Sequence, residues 1–123
     1  MALQIVDEPH GVVRVMIRLL FELILGHFFA DIALQDIWMA ETKRAFGEGH
    51  DWVMLHIAHG MMHAMVVYLI TNSVVLALVE LVTHVGFDYA KCRDMMGIFE
   101  DQICHLVMKI IYASIITFGG ALI

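Results

Sequence analysis

Apolar residues fill the chain in four long runs, roughly residues 12–40, 52–71, 74–90 and 102–122, with polar side chains returning inside each run at three- and four-residue intervals. That interval is the helical period, so each run predicts an α-helix whose polar positions share one face. Each run is also near the ~20 residues needed to cross ~30 Å of hydrocarbon. The pattern predicts an all-α, integral membrane, up-down four-helix bundle, with residues 1–123 as a single transmembrane domain. The third run is the shortest. GEGHD at 47–51 is a Gly-punctuated turn in which Asp51 is placed to cap the second helix. Thr71, Asn72 and Ser73 alone separate the second and third helices, which predicts a tight antiparallel hairpin.

The polar positions form one seam per helix. They are His27, Asp31 and Gln35 on the first, His56, His59 and His63 on the second, Glu80, His84, Asp88 and Lys91 on the third, and Asp101, Gln102 and His105 on the fourth. In an up-down bundle the late part of one helix lies beside the early part of the next. The seams are late, early, late and early, so all four converge at one end, as an intramembrane His/Asp cluster near one face. Ionisable groups cost several kcal/mol each inside a bilayer, so they are expected to face one another, a cavity or an ion.

Composition supports the membrane setting: 61% of residues are hydrophobic and the mean hydropathy is +0.82. A net charge of −6, with seven Lys and Arg and no basic cluster, excludes a nucleic-acid surface. No linker or repeat divides the chain. The lipid bilayer is therefore the first partner expected. Lys43, Arg44, Lys91 and Arg93 on the cluster's side outnumber Arg14 and Arg18 on the other, which places the cluster at the cytoplasmic leaflet. No small-residue cleavage site follows the first run, so it is read as a retained helix. Trp38 and Trp52 fit an aromatic belt at one interface, and Arg14, Arg18 and Glu22 lie opposite His27 as interfacial groups. His10 and His50 read as solvated loop side chains. Cys92 and Cys104 read as reduced thiols, buried as small hydrophobes.

Imidazole with carboxylate suits a divalent transition metal, zinc foremost, with iron or manganese as alternatives. The candidate ligands are His27, Asp31, His56, His59, His63, His84, Asp88 and His105, enough for one or two metals. Asp101 is the candidate base and Lys91 the candidate phosphate-binding group. Gln35 and Gln102 read as hydrogen-bonding supports. Metal-activated water beside an acid and a lysine points to a metal-dependent hydrolase acting on a phosphate ester or lipid-linked substrate. The alternatives are a hydrogen-bonded interhelical network without metal, a bis-histidine haem site, and a proton or metal-ion transporter or channel. Transport calls for polar residues at all depths, whereas residues 64–79 and 106–123 are nearly free of charge apart from Lys109. Gly26, Gly60, Gly86, Gly119 and Gly120 would permit close helix contacts, including those of a homodimer.

The segments GHFFADIALQDIWMAETK, HIAHGMMH, HVGFDYAKCR and FEDQICHL, taken in order, resemble the domain-of-unknown-function family 3307, small membrane proteins of bacteria and phages. The resemblance runs from Leu20 to about Tyr112 and matches His27, Asp31, Gln35, His56 or His59, His84, Asp88, Lys91, Asp101, Gln102 and His105 to the family's polar positions. It implies a bacterial inner-membrane location and brings no activity. It also admits a non-enzymatic phage protein that interferes with its host.

Overall fold

The computed structural model describes residues 9–45 and 49–119. Five helices are present among them: α1 (Pro9–Phe28), α2 (Ile37–Arg44), α3 (Asp51–Thr71), α4 (Val74–Cys92) and α5 (Ile98–Gly119). The fold is all-α, as the periodicity predicts.

The first apolar run is not one helix. α1 passes into a π-helical turn over Phe29–Ala33, closed by the Leu34 amide donating to the Phe29 carbonyl five residues back at 3.3 Å. The chain then leaves helical geometry, and Asp36 starts α2 by accepting the Met39 amide at 2.7 Å. An Asp that can cap a helix competes with one that continues it. The expectation of a single helix to residue 40 fails there. Gln35 accordingly lies in the break, not on a third helical step.

At the next turn the expected cap is also displaced. His50 is the residue flanking α3, Asp51 is already helical, and no side chain caps this end. Gly47 and Glu48 of the turn lie outside the described residues. The hairpin is as expected: Asn72 takes the left-handed conformation at φ 55°, and Ser73 caps α4 by accepting the Leu76 amide at 3.2 Å. α3 and α4 then run side by side. His10 lies in the first turn of α1 and, like His50, is exposed.

Burial in this chain is inverted relative to a water-soluble protein. Eight hydrophobic residues are buried among those described, against twelve polar or charged ones. Phe21, Leu69, Val82 and Phe118 face outward, each more than 60% exposed. Such a surface is stable against hydrocarbon and not against water. α3 and α5 are the two helices among the described residues long and apolar enough to cross a membrane. α1 and α4 have similar lengths, but Arg14, Arg18 and Glu22 interrupt one and Glu80, Asp88 and Lys91 interrupt the other. Two candidate spans, not four, therefore follow from composition. Two of the four cations at the cluster's end are engaged inside the bundle: Lys43 is buried in a pair with Asp88, and Lys91 is held between Asp88 and Asp101.

Two glycines set how closely the helices meet. A Cβ on Gly26 of α1 would overlap Val66 Cγ1 of α3, and one on Gly60 of α3 would lie 2.6 Å from Val85 Cγ2 of α4. Both serve contacts within the chain. Gly86 has nothing within 4 Å of such an atom. Gly60→Ala should lower stability by about 1–3 kcal/mol through overpacking, read as a reduced thermal unfolding midpoint in detergent. Gly86→Ala should leave the midpoint unchanged or raise it.

Candidate metal centre

The buried stripes of the helices carry the polar seams inward. On α4 the stripe is Leu76, Glu80, His84, Asp88 and Cys92; on α3 it is His56, His59, Gly60, His63 and Val67; on α5 it is Asp101, His105, Lys109, Tyr112 and Ala113. His27 ends the α1 stripe of Leu19 and Leu23, and the π turn presents Asp31 four residues later. Neighbouring helices thus bring six histidines and four carboxylates into one interior.

The carboxylates have different partners. Glu80 accepts Lys109 Nζ at 2.5 Å, and Lys109 lies over the Tyr112 ring, 5.4 Å from its centroid. Asp88 accepts Lys43 at 2.6 Å and pairs with Lys91 at 3.2 Å. Asp101 pairs with Lys91 at 3.2 Å and with His105 Nε2 at 3.2 Å. Each of these three has an ammonium partner. Asp31 has none: no lysine or arginine among the described residues lies within ion-pairing distance of it.

Four imidazoles surround Asp31 instead. Nε2 of His63, His59 and His84 lie 3.0, 3.3 and 4.0 Å from Asp31 Oδ1, and His27 Nε2 lies 3.4 Å from Oδ2. Asp31, His59, His63 and His84 each offer one ligand atom, all within 4.8 Å of one another. The Nε2 atoms of the three histidines are fully buried and make no aligned hydrogen bond among the described residues, although they face the Asp31 carboxylate. Buried nitrogens are seldom left so, because each unsatisfied polar group costs about 1–3 kcal/mol. A cation between them would satisfy all three lone pairs and the carboxylate together.

The far side of the same rings fits that use. His63 Nδ1 and His84 Nδ1 lie 3.9 and 3.7 Å from Glu80 Oε1. An imidazole that ligates through Nε2 carries its proton on Nδ1, and a carboxylate facing that proton fixes the tautomer. His63 and His84 stack with centroids 3.6 Å apart, and His105 stacks on His84 at 4.3 Å. Gln102 tightens the other side, donating to Asp31 Oδ2 at 3.0 Å and to Asp101 Oδ2 at 3.2 Å, while its Oε1 lies 3.2 Å from His27 Nε2.

The predicted ligands therefore divide. Asp31, His59, His63 and His84 converge. His27 joins an overlapping group with His63, His84 and Glu80, where Glu80 already has Lys109. His56 and Asp88 form a separate group with Cys92. There Lys43 and Lys91 already neutralise Asp88, and His56 Nδ1 is tied to the Trp52 carbonyl at 2.7 Å. His105 and Asp101 face each other. Lys91 spans Asp88 and Asp101 and is not free as a lone cation.

Sequence reasoning missed two lysines. The sequence pattern reads Lys43 as a loop charge and Lys109 as an exception in an apolar half; both are 1% exposed and pair with buried acids. The available signal was the number of acids on the seams, which exceeded the one lysine assigned to them. Cys92 is buried as expected, but beside Asp88 and His56 in a potential ligand set.

Removing Lys109 leaves Glu80 unpaired in the interior. Lys109→Met should cost about 3–5 kcal/mol, measured by unfolding in detergent. Adding Glu80→Leu should restore most of that stability, and a double variant as unstable as the single one would refute the pairing argument.

A family model described as "Protein of unknown function (DUF3307)" matches residues 19–122, a span that includes every residue of this centre. No curated protein and no solved structure matches the chain.

Proposed function

Because the chain belongs to the DUF3307 family, whose description assigns no activity, we propose from the geometry that it is a polytopic membrane protein binding a divalent transition metal at Asp31, His59, His63 and His84. The proposed activity is hydrolysis of a phosphate ester. One observation carries the metal: Asp31 is the interior carboxylate without an ammonium partner, and the buried Nε2 atoms of three histidines converge on it at 3.0–4.0 Å without an aligned hydrogen bond.

The donor set of three nitrogens and one oxygen suits zinc, iron or manganese. Bound there, such an ion would lower the pKa of a water and polarise a phosphoryl oxygen. Asp31, His59, His63 and His84 would hold the ion, which would supply Lewis-acid chemistry to a substrate reaching it. The Asp101–His105 pair is the proton acceptor: Asp101 holds His105 Nε2 at 3.2 Å, and the His105 ring stacks on His84. Lys91 pairs with the Asp101 carboxylate at 3.2 Å and so fixes its position. Gln102 fixes Asp31 so that its other oxygen faces the histidines.

Transport is the weaker reading. The polar chain runs from Lys43 through Asp88, Lys91, Asp101 and Asp31 to Glu80 and Lys109. Beyond Lys109 lies a cluster of Leu19, Leu23, Val67, Leu76, Tyr112 and Ala113. A path that ends on packed leucines suits a site reached from one end.

Elemental analysis of the detergent-purified chain should find about one transition metal per chain. Asp31→Asn and His63→Ala should lose it, while Asp88→Asn, outside the proposed centre, should retain it. Full occupancy in the Asp31→Asn and His63→Ala proteins would overturn the assignment.

A further inference from the structure

The interior charges are sealed except at two places. Side chains of Lys43, Asp88, His56, His59, Glu80, Asp101, His105 and Lys109 are 0–3% exposed. Asp31 and Lys91 are 12% and 17% exposed. Both line one cavity of about 320 Å³, between the π turn and the start of α5, with Phe28, Ile32, Gln35, Ile98 and Gln102. A neighbouring recess of about 170 Å³ shares Gln35, Lys91 and Ile98 and is also lined by Lys43, Arg44 and Asp88. The accessible edge of the centre is therefore this cleft.

Its walls are of two kinds. Asp31, Gln35, Lys91 and Gln102 supply polar groups, while Phe28, Ile32 and Ile98 are 40%, 74% and 71% exposed on the outer surface. A water-soluble ester needs no such apolar rim. The volume is near the lower end of small-molecule sites, enough for a headgroup but not for a lipid's chains, which would lie along the rim.

Resting on the hydrolase reading, we propose that the substrate is an amphiphilic phosphate ester entering sideways from the lipid. Its phosphate lies between Lys91, Gln102 and the ion at Asp31, and its chain lies over Phe28, Ile32 and Ile98. Local charge supports an anion only with the ion present, because Lys43 and Lys91 together just balance Asp88 and Asp101, and Asp31 adds a negative charge. Arg44, 55% exposed and 3.8 Å from Asp94 Oδ1, lines the neighbouring recess.

The test uses the full chain, its metal content measured, in phosphatidylcholine vesicles containing a phosphatidic acid analogue with a diazirine beside its headgroup. Photolabelling should concentrate on residues 28–35 and 98–102. n-Dodecyl phosphate should suppress it at concentrations at least tenfold below those of inorganic phosphate. Lys91→Gln should reduce labelling at least fivefold. Ile98→Gln, at an exposed position that does not threaten folding, should weaken it as well. Labelling spread evenly over the lipid-facing helices, or suppressed equally well by inorganic phosphate, would overturn the proposal. Focused labelling of metal-loaded protein without turnover would uphold the cleft and reject hydrolysis; turnover of a soluble ester without focused labelling would do the reverse.

Discussion

The interior of this chain is governed by the need to neutralise four carboxylates away from water. A carboxylate in hydrocarbon is tolerated only with a partner close enough to replace its hydration. Lys43, Lys91 and Lys109 serve Asp88, Asp101 and Glu80, each from a different helix or a different turn. The helices are thereby tied together by ion pairs as much as by packing, and the apolar core is left small. Asp31 is the remainder in this balance. Its charge is faced by the buried imidazoles of His59, His63 and His84 and by no ammonium, so the one carboxylate left over by the lysines is also the one at the centre of the histidine cluster.

The seams were legible because helical periodicity is local: His56, His59 and His63, or Glu80, His84 and Asp88, declare a common face without knowledge of any neighbour. Their convergence followed from up-down connectivity and is found in the structure. Partner choice was not legible. Lys109 reaches Glu80 across 29 residues of chain and Lys43 reaches Asp88 across 45, and nothing in either residue's local pattern announces the other. The same limit explains why eight candidate ligands reduce to a converging set of four. Periodicity reports a shared face, whereas coordination requires atoms a few ångströms apart.

The break in the first run was half legible. Asp36 is a helix-starting residue inside an apolar stretch, and it caps α2. The π turn before it has no comparable signature, because a fifth-residue hydrogen bond needs no special side chain. Such turns are concentrated at functional sites, and this one carries Asp31 and borders the cleft. A regular helix through residue 40 would have kept Gln35 on the His27 face and left α2 no freedom to fold Lys43 back onto Asp88.

The turn at Thr71, Asn72 and Ser73 bears on the order in which the interior is completed. α4 carries Glu80, Asp88 and Lys91, and its connection to α3 is too short to let the two helices pack apart. They form one hairpin. Glu80 meets its lysine only on the last helix, since Lys109 belongs to α5. The hairpin thus presents an acid whose cation lies at the far end of the chain, which makes packing of the C-terminal helix the step that completes the folded interior.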